Sequence, residues 1–361
     1  MGRCALKNSS VGLRPDDLLG RRDLVRAAFA LGLVACGGAK TVAAPAGRGF
    51  GSGGLSVWSV FDLPQEDPRS RELSGIAWDA ATQSLYAVPD AHAEIVVLRP
   101  DDAQLKAWHF NKSIKLDLKV QGSLDLEGIV VFPEGFVIAS EIGPRLFEID
   151  REGHLRAELR VPAHLSDART NKSLESLALT PSAKYLVTAT EEALERDGPI
   201  ASASSGTRIR ILKMDRSGAE ISEHAYETEP AAAGGELGVS EITALSDDEM
   251  LVLERGWAKA IGNSARIFRV DLAEEQASCL GDAKLAQGRH TLHKTLVADI
   301  GKLNVGGLPK PKQPQASPLL DNFEGMTLGP KLPDGRPTLL LVSDDNGRSD
   351  QTARLLVLTT A

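Results

Sequence analysis

The sequence predicts an all-β fold, a β-propeller of five four-stranded blades, with a sixth blade left open as an alternative. Short apolar runs separated by turn residues recur along the 361-residue chain. An acidic residue, a strand, a turn and a second strand that ends in another acid form a unit, and five versions of this unit follow one another. The last unit lacks a fourth strand, which a solitary apolar run near the amino terminus could supply.

Residues 1–35 are predicted to be a signal peptide. Arg21 and Arg22 precede the apolar run 27–35, which is too short to span a bilayer and typical of a signal sequence. The run ends in Leu33-Val34-Ala35-Cys36-Gly37, which resembles the lipobox of bacterial lipoproteins. That resemblance implies cleavage before Cys36 and a lipid on its thiol. An ordinary secretory signal is the alternative, and the arginine pair leaves open whether export follows the general or the twin-arginine route.

Residues 36–54 are predicted to be the lipidated cysteine and a flexible tether, because the segment is rich in Gly and Ala. The propeller domain is expected at residues 55–361. Cys4 lies in the leader and Cys279 stands alone in the remaining chain, so no disulfide framework is expected. The protein is expected outside the cytoplasm, where the lipid would anchor it to a membrane. The propeller would face the periplasm or the exterior.

The solitary run 56–61 has the composition of a strand and is followed by Pro64. The first two strands of the units are expected at 72–78 with 85–88, 126–131 with 136–141, 174–179 with 185–191, 240–245 with 250–254, and 321–328 with a run ending at 344. The third and fourth strands are expected at 94–98 with 105–110, 145–150 with 155–161, 208–212 with 220–226, and 266–271 with 290–297, while the fifth unit has only 353–358. The solitary run is therefore predicted to complete the fifth sheet and close the ring.

The acids that open the units set the repeat length. Glu127, Glu175, Glu241 and Glu324 are 48, 66 and 83 residues apart, and Ser74 takes the place of the acid in the first unit. The shortest interval suits a four-stranded blade, and loops account for the longer ones. The periodicity is weakest at 271–317, where a sixth blade remains the alternative.

Strand polarity predicts where the acids lie. The innermost strand of a blade runs from one face to the other and the second strand returns beside it, so the start of one and the end of the other share a face. Nine carboxylates are therefore expected around one mouth of the central channel. They are Glu127, Glu175, Glu241 and Glu324, which open first strands, and Asp90, Glu141, Glu191, Glu254 and Asp344, which close second strands.

So many like charges cannot all stay ionised without compensation. Oxygen ligands in adaptable geometry suit Ca²⁺ or another divalent cation, so these acids are predicted metal ligands. Arg71 and Arg255 are candidates for holding an anion. The alternative is structural: each opening Glu accepts backbone hydrogen bonds, or pairs with a basic residue, and fixes the blade register. The basic residues considered are Arg71, Lys184, Arg255 and Arg348.

Charge and motifs disfavour other functions. The formal net charge of −8 argues against a nucleic-acid-binding surface. Neither Gly-x-Ser-x-Gly nor Gly-x-x-x-x-Gly-Lys-Ser/Thr occurs in the sequence. Among the seven histidines, His290 and His293 alternate on a strand-like run and are interpreted as surface residues.

The stretch from Asp321 to Leu328, with its continuation through residue 346, resembles the bacterial phytase-like family whose domain is called "esterase-like activity of phytase". The match is closest over 321–346 and extends more loosely over nearly all of the chain after the leader. Leu73–Trp78 and Asp125–Ile129 also resemble the related SdiA-regulated propellers. Both resemblances imply an exported β-propeller.

The phytase resemblance also implies an activity, the hydrolysis of a phosphoester by a metal-activated water. The chain has the acids of such enzymes but lacks their early Asp-rich signature and a cluster of Lys and Arg. This departure disfavours phytate as the substrate and leaves another phosphoester open. The leading hypothesis is a lipid-anchored propeller with a divalent metal at its acidic mouth and an unknown small, phosphorylated ligand. The alternative is a non-catalytic ligand- or protein-binding propeller of the cell envelope.

Overall fold

Five antiparallel sheets of four strands make up the fold. The computed structural model describes residues 50, 54–119, 124–273, 278–285 and 291–361. Within these ranges the backbone forms twenty β-strands, and its helices are short 3-10 turns such as Pro68–Ser70 and Ala163–Asp167. The described residues contain no sixth sheet. The predicted all-β propeller of five four-stranded blades is confirmed.

The strands follow the chain in blade order after β1 (Leu55–Asp62). The first blade contains β2 (Leu73–Asp79), β3 (Ser84–Pro89), β4 (Glu94–Pro100) and β5 (Trp108–Lys115). The second contains β6 (Leu126–Phe132), β7 (Gly135–Ser140), β8 (Arg145–Asp150) and β9 (Leu155–Leu159). The third contains β10 (Ala178–Leu179), β11 (Tyr185–Ala189), β12 (Arg208–Asp215) and β13 (Glu220–Glu227). The fourth contains β14 (Glu236–Ala244), β15 (Glu249–Ala258), β16 (Gly262–Asp271) and β17 (Thr295–Asp299). The fifth contains β18 (Asn322–Leu328), β19 (Thr338–Asp344) and β20 (Arg354–Thr360), and β1 completes it.

The first and last strands close the ring. β1 pairs antiparallel with β20, from Leu55 opposite Thr360 to Asp62 opposite Arg354. At the end of this ladder the buried Arg354 guanidinium donates hydrogen bonds to both carboxylate oxygens of Asp62, at 2.6 and 3.1 Å. A bidentate pair of this kind fixes orientation as well as adding energy. The predicted closure by the solitary first run is thus confirmed.

The inner strands form the wall of the central channel. β2, β6, β10, β14 and β18 each contact the next one around the ring, and β18 contacts β2. This contact requires small residues: a Cβ on Gly128 would lie 2.6 Å from the Cβ of Leu177 on the neighbouring blade, and one on Gly75 would overlap the carbonyl of Glu127. Glycine at these positions therefore lets the inner strands approach closely.

Apolar side chains fill the space between neighbouring blades. Leu253 and Ile267 of the fourth blade pack with Met326 and Leu341 of the fifth in one buried cluster. Phe50, which is 2% exposed, belongs to the same cluster. Packing of this kind buries the apolar side chains that alternate along the strands, and it holds the ring together.

The predictions for the amino terminus concern residues that the structure does not describe. The signal peptide at 1–35 and Cys36 lie outside the described residues, and of the predicted tether at 36–54 only Phe50 and Gly54 are described. No helix among the described residues is long and apolar enough to cross a membrane.

Candidate metal site at the channel mouth

One end of the channel is an acidic cavity of about 440 Å³. It lies where the inner strands begin and the second strands end, as strand polarity predicted. Six of the nine predicted acids line it, namely Asp90, Glu127, Glu141, Glu175, Glu324 and Asp344. Asp125 and Glu236 also line it, although they were not among the predicted site residues.

Local irregularities in the inner strands aim the opening acids into the channel. In β6 the pairing with β7 shifts between Leu126 and Gly128, which leaves Glu127 unpaired. In β18 the same shift falls between Phe323 and Gly325 and leaves Glu324 unpaired. An extra residue of this kind bends the strand and redirects its side chain. The repeated bulge therefore places these carboxylates at the mouth.

The fourth blade is offset by one residue from the alignment that the acids suggested. In β14 the unpaired residue is Ser240, and Val239 pairs with Glu254 as Leu126 pairs with Ser140 in the second blade. Ser240 and Arg255 consequently hold the two positions that acids hold in most other blades. A one-residue shift turns side chains to the opposite face of a strand. The structure thus does not bring Glu241 or Glu254 to the mouth.

Both of these acids have structural partners instead. The Glu241 side chain is 1% exposed, and its Oε1 accepts hydrogen bonds from the backbone N–H groups of Leu177 and Ile242 at 3.1 and 2.9 Å. Glu254 Oε1 accepts from the Tyr226 hydroxyl at 2.6 Å and from Lys294 Nζ at 2.7 Å. The interpretation that an acid fixes blade register fits these two residues.

Glu191 is not among the described residues that line the cavity, and it pairs with two basic side chains, Lys172 and Arg255. Its Oε2 accepts a hydrogen bond from Lys172 Nζ at 2.7 Å, and its Oε1 accepts one from Arg255 at 3.2 Å. Arg255 also lies 3.4 Å from Glu324 Oε1. Burial alone would raise the pKa of Glu191, but the charges of Arg255 and Lys172 outweigh burial and hold it below its usual range. Glu191 is therefore the ionised, compensated carboxylate of the cluster.

The two predicted anion-binding arginines lie in different places. Arg255 lines the acidic cavity. Arg71 is not among the described residues that line it, and its guanidinium lies 3.0 Å from the fully buried carboxylate of Asp345. Arg348 lines the cavity, with its side chain 61% exposed, and pairs with Asp350 at 2.8 Å.

The remaining carboxylates lack enough positive charge. Among the described lining residues, eight are acidic and three, Lys172, Arg255 and Arg348, are basic. Burial raises the pKa of Asp90 to about 7, and the charge of Glu72 adds to it. Burial also raises the pKa of Glu141 to about 7, although the backbone N–H of Ser173 opposes this shift. Without a further cation, part of the cluster is protonated at neutral pH.

Two groups of carboxylates have the spacing of metal ligands. One oxygen each from Asp125, Glu127 and Glu141 lie within 4.8 Å of one another, and so do oxygens from Glu141, Glu175 and Glu191. Two ligands of one Ca²⁺ ion, each at 2.3–2.6 Å, lie at most about 5 Å apart. The oxygen-only donor set and this spacing fit a hard divalent cation. Glu141 belongs to both groups, so it is central to the site.

Proton sharing would take the place of a cation in the absence of metal. Burial raises the pKa values of Glu127 and Glu175 well above the usual range, and nearby acids add to the shift. Asp125 lies beside Glu127, and Glu191 lies beside Glu175, so each pair can share a proton. These protons must leave when a metal binds, which makes metal binding pH-dependent.

The opposite end of the channel has a different character. A cavity of about 580 Å³ there is lined mainly by apolar side chains from the ends of the inner strands. They include Trp78, Val131, Leu179 and Leu328, with Phe50 beside them. The channel is thus polarised, and its acidic chemistry is confined to one mouth.

Fold and site together define a five-bladed β-propeller with an acidic channel mouth. A family model described as "Phytase-like: Esterase-like activity of phytase" matches residues 68–347. The chain belongs to this phytase-like family, and the resemblance noted in the sequence is confirmed.

Other comparisons give weaker similarity. No curated protein matches the chain. A luciferin-regenerating enzyme is 14% identical, with 82% of this chain and 94% of that chain covered and a TM-score of 0.37. The PQQ-bound aldose sugar dehydrogenase from Streptomyces coelicolor is 11% identical, with 83% and 97% covered and a TM-score of 0.40. Neither similarity bears on the function of this chain.

Proposed function

We propose that the acidic mouth binds Ca²⁺ or a similar divalent cation, and that the loaded site hydrolyses a small phosphoester. The observation that carries this proposal is the pair of carboxylate groups that share Glu141, with ligand oxygens within 4.8 Å of one another. Membership of the phytase-like family supports the same chemistry. The shortage of basic residues around these acids explains why a cation would bind there.

The carboxylates would hold the cation, with Asp125, Glu127 and Glu141 on one side and Glu175 and Glu191 on the other. A bound divalent ion would supply a water that is deprotonated more easily and would neutralise charge on the phosphoryl oxygens. Glu324 accepts a hydrogen bond from Ser74 Oγ at 3.2 Å and one from Asn322 Nδ2 at 2.8 Å. These bonds fix its carboxylate on the wall, where it is placed to accept a proton from a reacting water.

The basic side chains on the cavity wall would orient the phosphate. Arg255 is held between Glu191 and Glu324 at 3.2 and 3.4 Å, so its position is fixed before any ligand arrives. Arg348 is exposed, and within the described part of the chain it forms an ion pair with Asp350 alone, so it can turn towards a ligand. The proposal therefore assigns anion contact to Arg255 and Arg348, in place of the predicted Arg71.

A metal and activity assay tests this function. The purified protein is melted in EDTA and in excess Ca²⁺ and then assayed on p-nitrophenyl phosphate and p-nitrophenyl acetate. Ca²⁺ is expected to raise the melting temperature, because it binds the folded state alone. Turnover of the phosphate ester is expected to need Ca²⁺. Glu141→Gln should abolish both effects, while Glu148→Gln, in the same blade but away from the cavity, should preserve them.

The outcomes separate the two classes of function. A Ca²⁺-dependent rise in melting temperature with no turnover of either ester would support the non-catalytic binding propeller. If Ca²⁺ neither raised the melting temperature nor supported turnover, the proposed metal site would be ruled out. Turnover that survives in EDTA would contradict a metal-dependent reaction.

We also propose that the protein is exported and anchored through a lipid on Cys36, as its leader sequence suggests. Cys36→Ser would remove the acceptor thiol and should move the protein from the membrane fraction to the soluble fraction. Membrane retention of this variant would contradict lipid anchoring. Replacing Cys4, which precedes the apolar run, is the matched control and should not change the fractionation.

A further inference from the structure

A second group of candidate ligands lies on the outer side of the third blade. His164 belongs to the 3-10 turn Ala163–Asp167, which connects the second blade to the third. Glu220 and Glu223 belong to β13, the outermost strand of the third blade. None of the three lines the acidic cavity. Whatever they bind is therefore separate from the channel mouth.

A bulge brings the two glutamates to one side of β13. Residues three apart on a regular strand point to opposite faces. Here Met214 pairs with Glu220 while its neighbour Lys213 pairs with Ser222, so Ile221 is the extra residue. Such an insertion shifts the alternation by one position. Glu220 and Glu223 can consequently approach the same point, and Ile221 is 47% exposed.

The ligand atoms of this group are close together, buried and without hydrogen bonds. One ligand atom from each of His164, Glu220 and Glu223 lies within 4.8 Å of the other two. His164 Nε2 is 2.8 Å from Glu223 Oε1, yet within the described part of the chain neither atom makes a hydrogen bond. Glu220 Oε1 is also buried without a hydrogen bond there, and Glu223 is 1% exposed. Buried polar atoms normally have partners, so this arrangement indicates a missing one.

The distance between the imidazole and the carboxylate suits two ligands of one ion. Metal–nitrogen and metal–oxygen bonds of about 2.0–2.2 Å place adjacent ligand atoms about 3.3–3.6 Å apart at the tetrahedral angle. His164 Nε2 and Glu223 Oε1 are 2.8 Å apart, so a small rotation of the side chains would bring them to that spacing. A direct hydrogen bond would instead require the ring N–H to point at the carboxylate.

The surrounding charges also favour a cation. The buried Arg210 guanidinium donates to both oxygens of Asp197, at 2.6 and 2.8 Å, and to Glu223 Oε2 at 3.0 Å. With His164 neutral, as a metal ligand must be, one guanidinium faces Asp197, Glu223 and the nearby Glu220, which leaves an excess of negative charge. Cys279 lies next to this group, but its Sγ is not among the ligand atoms that lie within 4.8 Å of one another.

We propose that His164, Glu220 and Glu223 bind a divalent transition metal, Zn²⁺ in the first instance. An imidazole nitrogen combined with two carboxylates suits Zn²⁺ better than Ca²⁺ or Mg²⁺, which prefer oxygen ligands. The ion would fasten the connection between the second and third blades to the outer strand of the third blade. Three protein ligands leave one tetrahedral position open to water.

Zinc titration of variants tests the site. The full chain is freed of metal with EDTA, and Zn²⁺ binding is measured calorimetrically. His164→Gln and Glu220→Gln should each weaken Zn²⁺ binding by about tenfold or more. The matched controls His109→Gln and Glu227→Gln alter exposed groups, the latter in the same strand, and should bind like wild type. Equal Zn²⁺ affinity in all four variants would overturn the proposal. So would a loss of Zn²⁺ binding that occurs only in a fifth variant, Glu141→Gln at the channel mouth.

A footprinting measurement on the wild type avoids dependence on variant folding. Hydrogen–deuterium exchange at the imidazole C2 position slows when a metal occupies a ring nitrogen, and mass spectrometry locates the labelled histidines. Zn²⁺ should protect His164, whose side chain is 22% exposed, but not the exposed His109. Ca²⁺ should protect neither residue, which separates this site from the proposed calcium site. Unchanged labelling of His164 in Zn²⁺ would overturn the assignment.

Discussion

Arg255 is the single residue on which the electrostatics of the channel mouth depend most. It is buried and lies 3.2 Å from Glu191 and 3.4 Å from Glu324. Arg255→Met should lower the free energy of unfolding in EDTA by about 3–5 kcal/mol, because it leaves buried carboxylates without their cation. Urea unfolding measures this change.

Arg348→Met is the matched control, since it removes the same charge from the same cavity. Its side chain is 61% exposed and pairs with Asp350, so the expected change is within about 0.5 kcal/mol. Similar losses for the two variants would contradict the view that Arg255 compensates a buried cluster.

Asp90 is expected to destabilise the metal-free protein. Its Oδ1 is buried without a hydrogen bond among the described residues, and burial together with the charge of Glu72 raises its pKa to about 7. In EDTA, Asp90→Asn should therefore raise the melting temperature by about 2–4 °C at about pH 8, where the wild-type carboxylate is charged. At about pH 5 the carboxylate is neutral in the folded state but charged in the unfolded state, so the gain should be clearly smaller than at pH 8.

Asp117 is exposed, so Asp117→Asn is the control for this pH dependence of the melting temperature. It should leave the melting temperature unchanged at both pH values. A gain for Asp90→Asn of equal size at low and high pH would indicate a packing effect and not an effect of charge.

The sequence identified most acids of the mouth but misplaced two of them by one position. The pattern of an acid near the start of a first strand is visible in Glu127 and Glu324, and bulges turn both into the channel. In the fourth blade the bulge falls on Ser240, one residue before the acid, and nothing in the local composition marks that difference. Because register decides which face a side chain takes, Glu241 and Glu254 could be placed only from the pairing itself.

At the scale of elements, β1 is the strand whose contribution can be tested most directly. It supplies the outer strand of the fifth blade through its ladder with β20, and Asp62 pairs with the buried Arg354. Removing residues 1–62 should expose the edge of β20 and leave Arg354 without its carboxylate. The expected result is a lower melting temperature and increased aggregation, measured by circular dichroism and light scattering.

Removing residues 1–48 is the control for this truncation, because it keeps β1 and the buried Phe50. This shorter truncation should melt like the full chain. If both truncations melted at the same temperature, the pairing of β1 with β20 would not be what closes the ring.

Strands were predictable from sequence where alternation and turn signals are strong. The predicted 145–150 and 353–358 nearly coincide with β8 and β20, for example. The first strand of the third blade was expected at 174–179 but is reduced to β10, only two residues long. Leu174 instead forms an isolated bridge with Thr190, which holds Glu175 near the mouth without a continuous ladder. Such a broken strand has the composition of an ordinary one, so composition cannot reveal it.

At the scale of the whole molecule, the acidic mouth exists only because the ring is closed. Its lining side chains come from all five blades. Glu324 of the fifth blade lies close enough to Asp90 of the first blade to raise the pKa of Asp90. Long-range pairing therefore assembles the charge that the proposed metal would balance. The sequence could predict this gathering from strand polarity, but not which carboxylates would keep a proton.

The combined titration of these acids predicts how stability depends on pH. The pKa values of Asp90 and Glu141 are about 7 in the folded protein, above their usual 3.8 and 4.5. Between the unfolded and folded values the native state binds more protons than the unfolded state, so stability must fall as pH rises. Glu191 has the opposite shift, but its titration lies below this range and adds no slope between about pH 5 and pH 8.

In EDTA the melting temperature should therefore decrease from about pH 5 to pH 8. Ca²⁺ needs the deprotonated carboxylates, so its stabilising effect should be small at the lower pH and largest at the higher. Glu141→Gln should flatten the pH dependence and weaken the effect of Ca²⁺, whereas Glu148→Gln should keep both. A melting temperature that rises with pH in EDTA, or an equal effect of Ca²⁺ at both ends of the range, would contradict a buried acidic cluster that exchanges protons for a metal.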